Sequence, residues 1–560
     1  MTLMDDKDMT VGSRQLLRLI VMKLVLNIFF SIFISKNTVF QSYRLSLPCL
    51  PTSKNFGEQT VKSPFFKASA LALLSLSNLA NAEDFYQKTK GYRVEPEPDP
   101  QSYVRNLSKT QFEQFRDVEW LDVGLDFRTR YEYRENDYRP SATEKTGFRE
   151  NPDNLWLLRT RAYLGVKEIL DPLRFAVEFE DARSYNGLYN RTDADVNEFE
   201  IIQGYAELYF DNVFGHNHPL SVRAGRQHLE LLDRRLIGNN QFRNTTNNFE
   251  GFRVQLGKKQ NSWHLDTFAL KPVERLKYNF DQHDEDTWIY GGVLNLRQWS
   301  EFVTIQPYFI GRKVDGDPTN PNNSFRKADS DIYAPGLRVY GLFGASGFDF
   351  DADINKQFGR FGSLTGKKNK PETYSQALRQ HDALAYSLEL GYSFDHEWKP
   401  RVSAYYGFGT GDKSSADNIN QRFDAFYGFN QPWSRNDYFS WDNLHAPKAR
   451  LEFTPYKDVR IDTGYNAFWQ ESETGGWNRA GLRDTTGKSG SFLGHEFDIR
   501  MRHKLNPYVD WSLSYARFNP GGFTETVSAK TTGAQGTEAS NFFYFEVNLN
   551  AFGDGKPNYK

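Results

Sequence analysis

The stretch RAGRQHLELLDRRLIG, residues 223–238, sets Arg223, Arg226, Arg234 and Arg235 in a segment that otherwise reads as a β-strand. A guanidinium carries a rigid fork of donors that grips a carboxylate through two parallel bonds. On a wet surface that grip is screened and releases readily. Against lipid the same group costs about 2–4 kcal/mol at mid-depth. The chemistry these residues suit is reversible anion binding. Further basic residues recur at alternate positions: Arg128, Arg130, Arg159, Arg161, Arg253, Arg338, Lys448, Arg450, Arg460, Arg500 and Arg502. Asp126, Glu178, Asp349, Asp351, Asp353, Glu452, Asp462, Asp498 and Glu546 share those faces.

Other chemistries find less support. YGFGTGDK (406–413) has glycines and a lysine but lacks the spacing of a phosphate-binding loop, so it reads as a strand end entering a loop. The ten histidines are scattered, and HNH (216–218) falls in a turn. The single cysteine, Cys49, precedes the expected processing site, so thiolate metal sites and disulfides are excluded from the mature chain. Asp281, Asp284, Glu285 and Asp286 read as a solvated loop, with calcium as the alternative. No metal and no cofactor are expected. No serine–histidine–acid trio can be nominated, so the chain is read as a non-enzyme; a barrel lipase or protease is the competing class.

The elements that would carry the arginines are strands. LDVGLDFRTRYEYR (121–134) places Leu121, Val123, Leu125, Phe127, Tyr131 and Tyr133 on one face and charged residues on the other. HEFDIRMRHK (495–504) sets Phe497, Ile499 and Met501 against Glu496, Asp498, Arg500, Arg502 and Lys504. Short connections such as EILDPL, KKQNSW and LNPYVD alternate with long polar ones such as 314–331, 360–382 and 519–540. Aromatics make up 16% of the chain and hydrophobic residues only 39%, which suits a barrel with one apolar and one polar face and equally a large secreted β-solenoid or propeller. The fold expected over 120–552 is an all-β, transmembrane, antiparallel up-and-down barrel of about 18 strands, with both termini on the short-turn side. A barrel that wide leaves an aqueous channel.

Within the opening stretch, strict alternation after Arg223 sends Arg226 toward lipid. Leu229 and Leu231 restart the apolar phase, so a β-bulge at Gly225 is expected to turn both Arg223 and Arg226 inward.

VKSPFFKASALALLSLSNLANA (61–82) reads as a signal peptide ending at Ala82. It makes the apolar run at 16–35 redundant, so residues 1–60 are expected to be a spurious extension, with a signal-anchor as the alternative. Residues 83–119 read as a periplasmic leader and 553–560 as a C-terminal tail. Without residues 1–82 the chain holds 60 basic and 67 acidic residues, a net charge of −7. Nucleic acid is therefore not an expected partner, and any anion binding must come from local placement of charge.

The stretch AGRQHLELLDRRLIGNNQFRNTTNNFEGFRVQL (224–256), with LRTRAYLGV (158–166), FAVEFEDARSY (175–185) and YGFGTGDKSSADNINQRFDAFYG (406–428), resembles the alginate export family of outer-membrane porins. The resemblance runs over most of 120–552. It implies an 18-stranded porin whose arginine-lined constriction passes an anionic uronic-acid polymer, carried here by Arg159, Arg161, Arg226, Arg253, Lys448 and Arg450. The expectation is an anion-selective passive channel in the bacterial outer membrane, serving secretion of a polysaccharide such as alginate; uptake of small acidic solutes is the alternative. Expected partners are membrane lipid, an anionic polysaccharide or small organic anions, and periplasmic export components.

Overall fold

The computed structural model describes residues 98–554, apart from 142–147, 150, 190, 214, 216, 260, 317–327, 368–369 and 415. The expected extension 1–60, the signal segment 61–82, residues 83–97 of the leader and 555–560 of the tail lie outside the described residues. Eighteen strands follow one another: β1 (Leu121–Glu135), β2 (Asp153–Val166), β3 (Leu173–Tyr185), β4 (Asn197–Phe210), β5 (Leu220–Gln227) and β6 (Phe249–Leu256). Next come β7 (Trp263–Glu274), β8 (Thr287–Leu296), β9 (Val303–Val314), β10 (Ser330–Leu342), β11 (Phe348–Lys367) and β12 (Lys370–Ser393). The last six are β13 (Arg401–Gly409), β14 (Leu444–Tyr456), β15 (Val459–Trp469), β16 (Phe492–Asn506), β17 (Val509–Pro520) and β18 (Ser540–Asn550).

Each strand pairs antiparallel with the next, and β18 pairs with β1 from Asp126↔Asn550 to Glu135↔Asn541. The sheet therefore closes on itself and has no free edge. Even-to-odd connections are short, down to two residues at 457–458 and 507–508. Odd-to-even connections are long, as at 228–248, 410–443 and 470–491, except between β11 and β12, where only 368–369 separate two lengthened strands. Leu125, Leu164, Phe175, Phe252, Leu388, Phe497 and Leu549 form an exposed apolar outer belt, while Asp126, Arg128, Arg161, Glu178 and Asp498 are buried on the inner face. That division lets the wall meet lipid outside and water inside.

Three features depart from the sequence reading. Residues 360–382, expected as a loop, continue β11 and β12 as a hairpin paired as far as Lys367↔Lys370. These two strands run 20 and 24 residues, where about 9–11 cross a bilayer. Polar residues outnumber apolar ones across 360–382, which weakened the alternation in the sequence. Residues 519–540 contain a helix, α1 (Gly522–Lys530).

The third departure is the opening stretch itself. β5 stops at Gln227, and residues 228–248 fold into the barrel instead of extending it. Leu229 and Ile237 are fully buried, in one apolar cluster with Leu231, Leu232 and Leu236 of the same loop. Phe268, Leu270, Ile289, Ile310 and Ala334 from the wall join that cluster, as do Trp433 and Trp441 from 410–443. The two loops clasp each other: Tyr427 N donates to Leu236 O, Gly238 N to Tyr427 O and Phe429 N to Arg234 O. Inner positions on β7–β10 are thus apolar where they meet the loops. Away from the loops the same strands keep polar inner positions, as at Asp266, Asn295, Gln306 and Arg338.

Candidate functional site

Arg128 and Arg130 project inward from β1, Arg159 and Arg161 from β2. Arg128 donates to the carbonyls of Gln241 (2.8 Å) and Arg243 (2.7 Å), and Arg130 to that of Phe242 (2.6 Å). The inward loop is therefore seated on the wall arginines. Glu546 of β18 lies 3.2 Å from Arg130 and 3.7 Å from Arg128. Arg161 pairs with Glu180 at 2.8 Å and bonds Gln101 Oε1, Gln241 Oε1 and Thr246 Oγ1. Arg159 differs. Its nearest carboxylate is Asp126 at 3.7 Å, and its buried Nε and Nη1 have no hydrogen-bond partner.

On the next sector, Arg223 meets Glu207 at 3.3 Å, and Arg253 grips Asp266 through Nε (3.0 Å) and Nη2 (2.6 Å). Asp99 reaches both arginines, at 2.8 and 3.4 Å. Glu178 accepts from the Tyr103 hydroxyl and from Gln203. Arg338 holds Asp351 bidentately, at 2.9 and 2.6 Å.

A third set spans β12–β16. Lys448 pairs with Asp498 (3.2 Å), Arg450 lies 4.0 Å from Glu389, and Arg460 bonds Glu452. Arg500 and Arg502 converge on Asp462 at 3.1 and 2.8 Å. Two arginines outside the sequence-derived set belong here. Arg401 binds Asp349 (2.6 Å) and Glu389 (2.9 Å), and Arg435 of the loop 410–443 binds Asp462 (2.8 Å). Arg401 opens its strand, where alternation gives little warning; Arg435 sits in an irregular loop with none.

Arg226 is a correction. Gly225 pairs regularly with Tyr205 on one side and Gly251 on the other, with no bulge. Its φ of 125° and the 2.4 Å separation between a built Cβ and Gly204 O explain why glycine stands there. Arg226 consequently points to the opposite face from Arg223 and Gln227. It ends among Glu200 (2.6 Å), Glu250 (3.4 Å) and the carbonyl of Asp281 (2.9 Å). The slip of phase sits instead in β4, which skips Ile202 opposite Glu178 and Phe179. Arg234 and Arg235 stay with the inward loop, lying 5.0 Å from the Phe429 ring centroid and 5.5 Å from that of Trp433.

The register brings like charges together. Arg128 stands opposite Arg159, Arg223 opposite Arg253, and Arg460 opposite Arg502. A cavity of about 640 Å³ opens at the short-turn end, lined by eight Lys/Arg against five Asp/Glu. A second, of about 1100 Å³, lies at the long-loop end and has five of each. Among the described residues no cluster of three or more His, Cys, Asp or Glu is arranged to hold a metal. Asp281, one of the loop carboxylates, accepts from Leu276 N (2.7 Å) and Asn197 Nδ2 (2.8 Å). Burial pushes its carboxyl up to about 6, with Glu200 adding to the rise and the two hydrogen bonds opposing it.

The sequence model for alginate export matches residues 119–537. The chain belongs to the alginate export family. No curated protein matches it. Among solved structures, the alginate-export chain is similar to OccAB1 of Acinetobacter baumannii (11% identity, 80% of this chain and 99% of that one, TM-score 0.49). It is also similar to OpdQ (13%, 77% and 97%, 0.47) and OccK5 (OpdH) (9%, 77% and 98%, 0.46), both of Pseudomonas aeruginosa. Family and closed barrel are those of an outer-membrane porin, embedded in bacterial outer-membrane lipid.

Proposed function

We propose that this barrel is a passive, anion-preferring channel for an acidic uronic-acid polysaccharide such as alginate, serving its secretion. The observation that carries the reading is the set of three directly opposed arginine pairs on the inner wall. Like charges directly opposite each other destabilise a sheet. The same register opposes Glu180 to Glu200, Asp351 to Glu389 and Glu452 to Asp462, and this repeated breach of the rule along one inner face supports a functional role for the charge there. The excess of Lys/Arg around the short-turn cavity adds to it, because a ring of fixed cations lowers the barrier for carboxylates. The wall carboxylates keep each guanidinium oriented, and screening keeps the attraction weak enough to release.

The test is planar-bilayer recording under a salt gradient. A reversal potential on the anion side is expected, together with block by oligouronates at lower concentration than by small monocarboxylates. Cation preference would overturn the reading. Equal block by acetate and by oligouronate would move the assignment to uptake of small acidic solutes.

A further inference from the structure

The N-terminal segment does not merely lead into β1. Residues 98–104 enter the short-turn end of the barrel, where Tyr103 and Val104 are buried with Tyr163, Ala176 and Tyr205. Position 124 must be glycine for this to happen, since a Cβ there would stand 2.9 Å from the Tyr103 ring. Gln101 fastens the segment further, 2.7 Å from His228 Nδ1 and 3.1 Å from Arg161 Nη1. Ahead of this anchor, Pro98, Asp99 and Pro100 line the 640 Å³ cavity. The Asp99 carboxylate is 30% exposed and lies against Arg223 and Arg253, whose side chains are each 7% exposed. Glu207 and Asp266 serve these arginines from strands of the wall, whereas Asp99 reaches them from the N-terminal segment; all three carboxylates line the cavity, and Asp99 is the more exposed.

We propose that Arg223 and Arg253 form a carboxylate-binding site at the short-turn mouth, that Asp99 of the chain's own N-terminal strap occupies it at rest, and that a uronate carboxylate enters by displacing Asp99. The proposal rests on the anionic-cargo reading above. A tethered carboxylate competes at an effective concentration in the millimolar range, so cargo must arrive at comparable local density to open the site. Polymer with many carboxylates meets that requirement where a single dilute acid does not. The two prolines flanking Asp99 restrict its backbone and keep the tethered group in place.

Sodium glucuronate is the probe, and its half-blocking concentration for single-channel current is the readout. Asp99→Asn is expected to lower that concentration about tenfold, and Asp99→Glu to restore the original value. Adding Arg223→Gln and Arg253→Gln to Asp99→Asn is expected to remove the gain. An unchanged half-blocking concentration in Asp99→Asn overturns the strap; a gain that survives loss of both arginines overturns the site. The unsubstituted protein gives an independent check, since saturating glucuronate should speed tryptic cleavage at Arg105, and an unaltered rate contradicts displacement. Reversal potentials from the same channels separate the two readings. Cation preference with an intact Asp99 effect would sink the cargo assignment alone, whereas anion preference with no Asp99 effect would sink only the strap.

Discussion

Arg128 and Arg159 stand directly opposite each other on β1 and β2; both leave a buried Nε without a partner, but both Nη atoms of Arg128 bond the inward loop, whereas Nη1 of Arg159 bonds nothing. The loop carbonyls that serve Arg128 do not serve Arg159. Replacing Arg159 with Gln should therefore leave the unfolding midpoint in detergent unchanged or slightly raised, because a repulsion of about 0.2–1 kcal/mol is relieved. The same change should lower the anion-to-cation permeability ratio. Arg161→Gln should behave oppositely in stability, costing about 3–5 kcal/mol, since Glu180 would be left buried and unpaired. Equal loss of stability in both variants would contradict this division.

Arg226 provides the complementary case. It lies on the far side of the wall from Arg223, in ion pairs with Glu200 and Glu250. Arg226→Gln should reduce thermal stability yet leave the reversal potential where it was, while Arg253→Gln moves it toward cations. A selectivity change in Arg226→Gln as large as in Arg253→Gln would place the side chain in the ion path after all.

Ile237 is fully buried at the centre of the inward loop. Truncation to Ala should cost about 2–5 kcal/mol of local packing. Because that packing holds 228–248 against the wall, single-channel conductance should rise and proteolysis at Arg234 and Arg235 should accelerate. Unaltered conductance would mean the loop does not narrow the passage.

Asp281 joins the loop 275–286 to Asn197 and Glu200. Its carboxyl is raised to about 6 from a usual value near 3.8 by burial and the Glu200 carboxylate. The protonated form is thus favoured in the folded barrel. Its contribution is complete below pH about 4 and is lost as pH rises through about 6, an effect on the order of 2 kcal/mol. The midpoint of the parent protein relative to Asp281→Asn should fall between pH 4 and 7.5. A pH-independent difference would refute the linkage.

How much of this could be read beforehand depended on whether a residue had one environment per face. On β1 and β16, lipid lies on one side and water or charge on the other, so Arg128, Asp498 and Arg500 could be oriented by alternation alone. Strand number and turn side followed from the same pattern. At 228–238 the leucines pack on other protein inside the barrel, and a loop that buries an apolar row imitates a membrane strand. From that misreading came the expected bulge at Gly225 and the inward assignment of Arg226. Asp99 gave no signal, because an irregular proline-flanked segment has no period from which to infer a partner.

The seam between β1 and β18 has a temporal meaning. Its two halves lie at opposite ends of the barrel sequence, so the cylinder stays open until residue 550 has been delivered. Once that last zipper forms, the two interior loops, clasped through Leu236, Gly238 and Tyr427, have no lateral way out between the strands. The register thus makes closure the last pairing the chain can complete, since it waits on the final strand to be synthesised.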